Sequence, residues 1–533
     1  MTRVQLCIAK IPVTLTKVFR LIGLAALGCA CSSAEHIAVN PKVGHGPISP
    51  YLFGMGIEWT ENGDRVLNPT TGKLRPEIMN LLVPLHIPVW RFPGGILSDY
   101  YHWENGVGPA ATRPMGTNPM DGSANANTFG TDEFIQFCKM QGSAALITAN
   151  YGTGTLEETL SWQKYFSQKA MPVKLWEIGN EIYLSEPTMP GAIPGDDLRI
   201  FHTASQYAAD FPLWLNGLHS ADSSALVGAI AGRYNTSPQN ENWLQALAGA
   251  MPAKADFVSL HDAYAPAIFS PYNYSSAANR SAAYAAMDAL PATTVQDIDA
   301  VQAAFATQNE RYTPRAAITE HFPLFGGSSN PNQFLEELDQ TRTISSALFT
   351  ASLLQSLMRQ GAWMANYNIA VSEWFGALVT DEASGPVATP TYYVYDLYLN
   401  HFGTKLIDAQ ITGGAAFSTG TLGAVPATAQ VSTLDAVASL SSDGRHVYLS
   451  VINRSQTSNV SSTLSVSGQP VKSVAQVYTL KATASNEVNG SSLSSTTVSS
   501  GANPIRWVLS AWTNKTGHDT YLFPPNSLTV FSW

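Results

Sequence analysis

The fold class predicted for this chain is α/β: a (β/α)₈ barrel followed by an antiparallel β-sandwich. Three observations predict it. Eight short apolar runs, each bounded by Gly, Pro or a polar residue, read as buried strands. Longer stretches between them carry apolar residues at helical spacing. Near residue 400 the composition shifts, and from about Gln430 the chain is rich in Ser, Thr, Val and Gly with alternating patterns.

Residues 1–35 are set aside as a leader. Arg3, Lys10, Lys17 and Arg20 precede the apolar run LIGLAALG and the small-residue stretch CACSS, the layout of a secretory signal. The run is too short to span a bilayer. Cysteine after ALG resembles a bacterial lipobox, with Cys29, or less well Cys31, as the lipidated N-terminus; plain cleavage to a periplasmic or secreted protein is the alternative. Residues 36–50 contain HIAVNPKVG, a strand expected to pair with the second domain. The barrel is assigned to residues 51–400. Its strands are LFGMGIE, IPVWRFPGG, AALITANYG, PVKLWEIGNE, ALVGAIAG, DFVSLHDAY, RAAITEHF and AWMANYN. Among its helices are TDEFIQFCKMQG, LEETLSWQKYFSQ, DLRIFHTASQYAADF and QTRTISSALFTASLLQSLMRQG. Strand–helix alternation argues for a parallel sheet, and eight such units for its closure. An open doubly wound sheet is the rival, but no GxGxxG follows the first strand. Residues 401–533 form the sandwich, with strands such as HVYLSVIN and SVAQVYTL; the Ser/Thr-rich NGSSLSSTTVSSG reads as a solvated loop.

The totals exclude several functions. With 45% hydrophobic and 13% charged residues the chain can bury a large core. A net charge of −10 disfavours a nucleic-acid partner. Cys138 is the only cysteine after the leader, which rules out a disulfide framework, and no Cys/His cluster has zinc spacing. Twelve Trp and 21 Tyr leave ring surface on which neutral sugars could stack, although core packing explains most aromatics equally well.

Reactive groups of such barrels lie at the C-terminal strand ends. Glu181 ends the fourth strand and Glu320 the seventh, across the barrel from each other. Two carboxyls facing across a cleft are what glycoside hydrolysis requires: one donates a proton to the leaving oxygen, the other attacks the anomeric carbon or activates water. Asn180 fits beside them as a donor to a sugar hydroxyl. Glu58, at the end of the first strand, could bind another hydroxyl, and His261, after the sixth, could bond to the nucleophile or the sugar.

WEIGNE, RFPGGILSDYYHWENGVGP, FGTDEF, NYGTGTLEE and SLHDAY resemble the motifs of glycoside hydrolase family 51, typified by α-L-arabinofuranosidases. YYVYDLYLNHFGTKLI, LDAVASLSSDGRHVYLSVINRS and FPPNSLTVFSW are similar to its barrel exit and C-terminal sandwich. The resemblance implies that Glu181 is the general acid/base and Glu320 the nucleophile. It places Glu58, Asn180, His261, Tyr264 and Trp374 among the sugar-binding residues, and makes Arg91 the barrel arginine that helps keep the nucleophile ionised. Three positions depart from the family: Ile96 stands where Asn usually follows PGG, His321 replaces the Trp after the nucleophile, and Ala263 displaces the expected tyrosine to Tyr264. All three are expected to line the sugar pocket.

The expected function is retaining, exo-acting removal of terminal α-L-arabinofuranosyl residues from plant-type polysaccharides or oligosaccharides, without metal or organic cofactor. Another clan A activity (β-xylosidase, endoglucanase or uronic-acid-sugar glycosidase) remains open, because the long segments after the second and sixth strands could form a blocked pocket or an open cleft. A lipoprotein that binds glycans without cleaving them is the reading from a different class. An oligomer is compatible with the resemblance.

Overall fold

The computed structural model describes residues 35–117, 123–185, 202–232, 238–251, 255–308, 312–328, 330–372, 378–467 and 474–533. The leader with Cys29 and Cys31 lies outside these residues, as does Trp374. Eight strands close a barrel: β1 (Gly54–Gly56), β2 (Val89–Phe92), β3 (Ala144–Ala149), β4 (Leu175–Ile178), β5 (Leu226–Gly232), β6 (Phe257–Pro266), β7 (Arg315–Leu324) and β8 (Met364–Tyr367). Every adjacent pair is parallel, with β8 hydrogen-bonded to β1. The predicted closure is therefore the observed one.

The helices α1 (Pro76–Leu82), α2 (Thr131–Gln141), α3 (Leu156–Gln168), α4 (Ala204–Ala221), α5 (Pro238–Ala250), α6 (Ala277–Gln308), α7 (Ile344–Gln360) and α8 (Pro390–Asn400) follow the strands in turn. Where DLRIFHTASQYAADF was read as helical, the described helix begins at Ala204, because Thr203 caps it by accepting from the Gln206 N–H at 3.2 Å. The helices pack aromatic rings on the outer wall of the barrel: Phe92 of β2 stacks on Phe134 of α2 at 4.4 Å, and Trp176 of β4 meets Trp162 of α3 edge-on at 6.2 Å. Each such ring contributes about 1.5–3 kcal/mol by leaving water.

Helix α7 is buried on nearly all sides, because it lies between the barrel and the C-terminal domain. Its Gln355 amide donates to Tyr398 Oη and Ser450 Oγ, both at 3.0 Å, and Ser352 Oγ donates to Asp435 Oδ2 at 3.2 Å. These bonds satisfy polar groups that burial would otherwise penalise, and they join the two domains.

The C-terminal strands are β9 (Lys405–Thr412), β10 (Leu434–Leu440), β11 (Val447–Asn453), β12 (Val460–Val466), β13 (Val474–Lys481), β14 (Val508–Thr513), β15 (Thr520–Phe523) and β16 (Ser527–Ser532). Together with the N-terminal strand Glu35–Pro47 they form one ladder, ordered β14–β13–β16–β11–β10–β9–N-terminal strand–β12–β15. Trp512 and Tyr521, from the two opposite edges, bring their rings within 5.9 Å, so the ladder curls over a shared core into two layers. One pairing is not antiparallel. The N-terminal strand runs parallel to β12, because it arrives from the far end of the chain and no hairpin dictates its direction.

The Ser/Thr-rich segment is not a solvated loop. The buried Asp339 carboxylate, paired with Arg342, accepts from the backbone N–H groups of Leu493 and Ser494 at 3.0 Å each and from the hydroxyls of Ser492, Ser494 and Thr497. A buried anion requires this many donors, and short hydroxyl side chains are the ones that fit around it.

Candidate active site

Glu181 and Glu320 meet at the C-terminal mouth of the barrel. His261 Nδ1 lies 3.1 Å from Glu181 Oε1 and 3.9 Å from Glu320 Oε2, which caps the separation of those two oxygens at the sum of the distances, 7.0 Å. The Nδ1–Glu181 approach is an ion-pair distance, although it lies off the line of a well-directed hydrogen bond. Tyr183 Oη also donates to Glu181 Oε1 at 3.1 Å. Glu181 turns the chain at the end of β4 with φ 32, a left-handed conformation that a non-glycine residue adopts at a cost. Glu320 is held through both oxygens: Arg91 Nη1 donates to Oε2 at 3.0 Å and Tyr264 Oη to Oε1 at 3.1 Å.

Two bulges bring these side chains to one place. In the ladder between β6 and β7, Leu260 pairs with Ile318 and the next pair is His261 with Glu320, so Thr319 is an extra residue on β7. The following pair is Tyr264 with Phe322, so β6 has two residues, Asp262 and Ala263, opposite the single residue His321. Strand side chains alternate between faces, and each bulge shifts that alternation by one. Thr319 and Glu320 therefore both face the interior, as do His261 and Tyr264. The displacement of the tyrosine is absorbed in the backbone, and Ala263, fully buried at φ 62, does not line the pocket. His321 does not line it either: it is 0% exposed and packs edge-on against Tyr367, and burial holds its imidazole down near 3, in the neutral form. Of the three departures from the family only Ile96 keeps some exposed surface.

Below the glutamates lies a polar core built around Arg91, which is 1% exposed. Its Nε donates to Glu177 Oε2 at 2.9 Å and its Nη2 to Asn180 Oδ1 at 2.7 Å, in addition to the Glu320 contact. Glu177 is 0% exposed and also accepts from Thr148 at 3.0 Å and Thr319 at 2.6 Å. Burial drives the Glu177 carboxyl upward, but Arg91, His261 and Thr319 outweigh it and hold that carboxyl well below the usual carboxylate range. The single Thr319 proton points to Glu177, so Thr319 Oγ1 must accept from His261 Nε2 at 3.1 Å. Arg91 Nη2, 3.4 Å from the same nitrogen, is then a neighbouring donor and not a partner. Burial disfavours a charged imidazole, yet Glu177, Glu181 and Glu320 raise His261 to about 9, so it is a cation at neutral pH.

The two glycines of RFPGG each make room for one acid. A Cβ on Gly94, at φ 126, would lie 2.7 Å from Glu58 Cγ, and one on Gly95 would lie 3.0 Å from Glu320 Oε2. Burial and the Glu320 charge raise Glu58 to about 7, against the Gly95 N–H and Arg91. The structure thus brings together Glu58, Arg91, Asn180, Glu181, His261, Tyr264 and Glu320. Three supporting residues escaped the sequence reading. Glu177 shares strand parity with Glu181, a charged residue inside an apolar run, and could have been found on that signal. Buried Asp99, which accepts from the Asn180 N–H at 3.3 Å, and Tyr183 carried none.

A pair of carboxyls at one mouth of a (β/α)₈ barrel is the arrangement that glycoside hydrolysis uses. The family models agree. One described as the α-L-arabinofuranosidase 1 domain matches residues 81–171, and one described as the α-L-arabinofuranosidase C-terminal domain matches residues 326–527. The chain belongs to glycoside hydrolase family 51. It is 24% identical over 398 residues, 70% of this chain and 73% of the relative, to a protein of Bacteroides ovatus named as an intracellular exo-α-L-arabinofuranosidase. In fold it resembles the α-L-arabinofuranosidase of Thermotoga maritima solved as an arabinose complex (TM-score 0.76, 23% identity, 94% of this chain and 100% of that one). It likewise resembles the family 51 arabinofuranosidase of Xanthomonas axonopodis pv. citri (TM-score 0.75, 20% identity, 94% and 99%).

Proposed function

We propose that the chain is a retaining, exo-acting α-L-arabinofuranosidase in which Glu320 is the nucleophile and Glu181 the general acid/base. The observation that carries this reading is that Glu181 and Glu320 share His261 at one mouth of the barrel, with two of their oxygens at most 7.0 Å apart, which admits the retaining separation and excludes most of the inverting range. Retaining pairs stand about 5–5.5 Å apart, whereas inverting pairs need about 6.5–9.5 Å to admit a water. A Glu320 oxygen attacks the anomeric carbon as the glycosidic C–O bond breaks, and the Glu181 proton passes to the leaving oxygen. Water then attacks the same carbon, its proton goes to Glu181, and the ester bond to Glu320 breaks. Esterification neutralises Glu320 and so removes the anion that favoured a proton on Glu181, which lets one residue act first as acid and then as base.

Arg91 and Tyr264 orient the nucleophile. The Arg91 contact to Asn180 Oδ1 leaves Nδ2 as the donating end of that amide, suited to a sugar hydroxyl, and Glu58 is placed for another. Trp374, which lies outside the described residues, is proposed as a substrate-binding residue on sequence grounds alone. The names of the relatives support arabinofuranosyl as the sugar, and that of the Bacteroides ovatus relative supports exo as the mode. The leader layout supports export, although the Bacteroides ovatus relative is named intracellular; among the described residues no helix is long and apolar enough to cross a membrane.

The test uses aryl arabinofuranosides of graded leaving group. Glu181→Ala should lose about 10²–10⁴-fold on a poor leaving group and far less on a dinitrophenyl one, whereas Glu320→Ala should lose activity on both. Equal losses for Glu181→Ala across the series, or an inverted anomer as first product, would refute the assignment.

A further inference from the structure

Glu58 stands just past the end of β1, and its backbone is tied down on both sides. The N–H groups of Ile57 and Trp59 donate to the carbonyls of Arg91, on β2, and Pro93, just beyond it, at 2.9 and 3.0 Å. Successive N–H groups of an extended chain point in opposite directions, so that of Glu58 points away from β2, toward β8. There β8 pairs with β1 only as far as Tyr367 opposite Met55. In place of a strand carbonyl, the buried carboxylate of Asp64 accepts from the Glu58 N–H through Oδ2 at 2.6 Å.

Asp64 reaches back six residues because the chain makes a left-handed turn. Glu61, Asn62, Gly63, Asp64 and Arg65 have φ of 47, 64, 67, 49 and 63. Backbone bonds from Gly63 and Asp64 to the Thr60 carbonyl, and from Arg65 to that of Glu61, close the turn. A Cβ disfavours this conformation, and Gly, Asn and Asp are the residues that visit it routinely. Its neighbours impose it. The Phe129 ring lies where a Cβ on Gly63 would stand, 2.3 Å from a ring carbon. Thr128 Oγ1 donates to Asn62 Oδ1 at 2.7 Å, and Arg65 Nη1 lies 3.5 Å from Asp381 Oδ2. Backbone of this kind persists only where the surroundings over-determine it, and it gathers at functional sites.

We propose that Asp64 is a positioning residue of the sugar subsite: the left-handed turn delivers its carboxylate to the Glu58 N–H and so fixes the backbone from which the Glu58 side chain meets the sugar. Asp64 itself touches no substrate, and the inference rests on the placement of Glu58 in the sugar site.

The test is kcat and KM of the full chain on an aryl α-L-arabinofuranoside, for wild type, Asp64→Gly, Asp64→Asn, Glu58→Ala and the double variant Asp64→Gly/Glu58→Ala. Glycine suits φ 49, so Asp64→Gly removes the acceptor and keeps the turn, whereas Asn keeps an acceptor oxygen at the same φ. Asp64→Asn should hold kcat/KM within about 3-fold and Asp64→Gly should lose about 10-fold. Glu58→Ala should lose about 100-fold. In the double variant the loss due to Asp64→Gly should shrink to within about 2-fold, because no carboxylate is left to position. A merely structural role would give the same 10-fold loss in either background. Such multiplying losses, an unaltered Asp64→Gly, or an Asp64→Asn as impaired as Asp64→Gly would each overturn the proposal. Should Asp64→Gly not fold, Asp64→Ser, whose hydroxyl is too short to reach the Glu58 N–H, takes its place in the same cycle. A Glu58→Ala with wild-type kcat/KM would overturn the placement of Glu58 and the role of Asp64 together, whereas multiplying losses beside an impaired Glu58→Ala would remove only the latter.

Discussion

Replacing Arg91 by Met tests whether the floor of the site is held by charge. The guanidinium makes three charge-assisted contacts, to Glu177, Glu320 and Asn180 at 2.9, 3.0 and 2.7 Å. Methionine keeps the packing of the aliphatic stem but leaves Glu177 as a buried anion without its cation. Breaking one side of such a pair costs about 3–5 kcal/mol. Glu177→Gln alone should cost about 1.5–3 kcal/mol, the worth of a hydrogen bond to a charged group, since Arg91 retains two other acceptors. In the double variant no uncompensated anion remains beneath the site. It is expected to be more stable than Arg91→Met alone, which requires a coupling larger than the Glu177→Gln cost itself, about 3 kcal/mol. The assay is the ranking of denaturation midpoints followed by tryptophan fluorescence, with half-lives at one elevated temperature as a second reading. Activity should not follow stability: both Arg91 variants free Glu320 and Asn180 together and should lose about 100-fold or more in kcat. Additivity within about 0.5 kcal/mol would refute the reasoning, because it would mean that Glu177 does not depend on Arg91 for its charge.

Two further outcomes are expected. His261 is raised from 6.5 to about 9, so its cationic form contributes stability that is fully present below pH 6.5 and is lost as pH rises through 9. Relative to His261→Gln, wild type should lose on the order of 3 kcal/mol across that window, measured as denaturation midpoint against pH, and a constant difference would contradict it. Gly95→Ala places a methyl 3.0 Å from Glu320 Oε2, so it should cut kcat about 10-fold by displacing the nucleophile. An unaltered kcat would show that the carboxylate has room to yield.

The legible part of this protein was local in character. The barrel strands announced themselves as apolar runs closed by Gly, Pro or a polar residue, because a strand buried on both faces needs side chains that tolerate dryness on each. The glutamate pair was legible because a barrel presents the ends of all its strands on one face, so strand order alone sets Glu181 opposite Glu320. The solvated reading of NGSSLSSTTVSSG failed for the opposite reason. Ser and Thr suit water and suit a buried anion equally, and nothing near residue 339 in the chain marks Asp339 as their partner.

Periodicity and the order of elements were enough to give the architecture and to set Glu181 and Glu320 at facing strand ends, since each depends on spacing or on position along a strand. The parallel pairing of the N-terminal strand, the Arg91–Glu177 floor and the paired bulges were decided only in three dimensions. Each depends on which faces meet after the chain has closed on itself, and one extra residue in either bulge is enough to turn a side chain from the sugar to the wall.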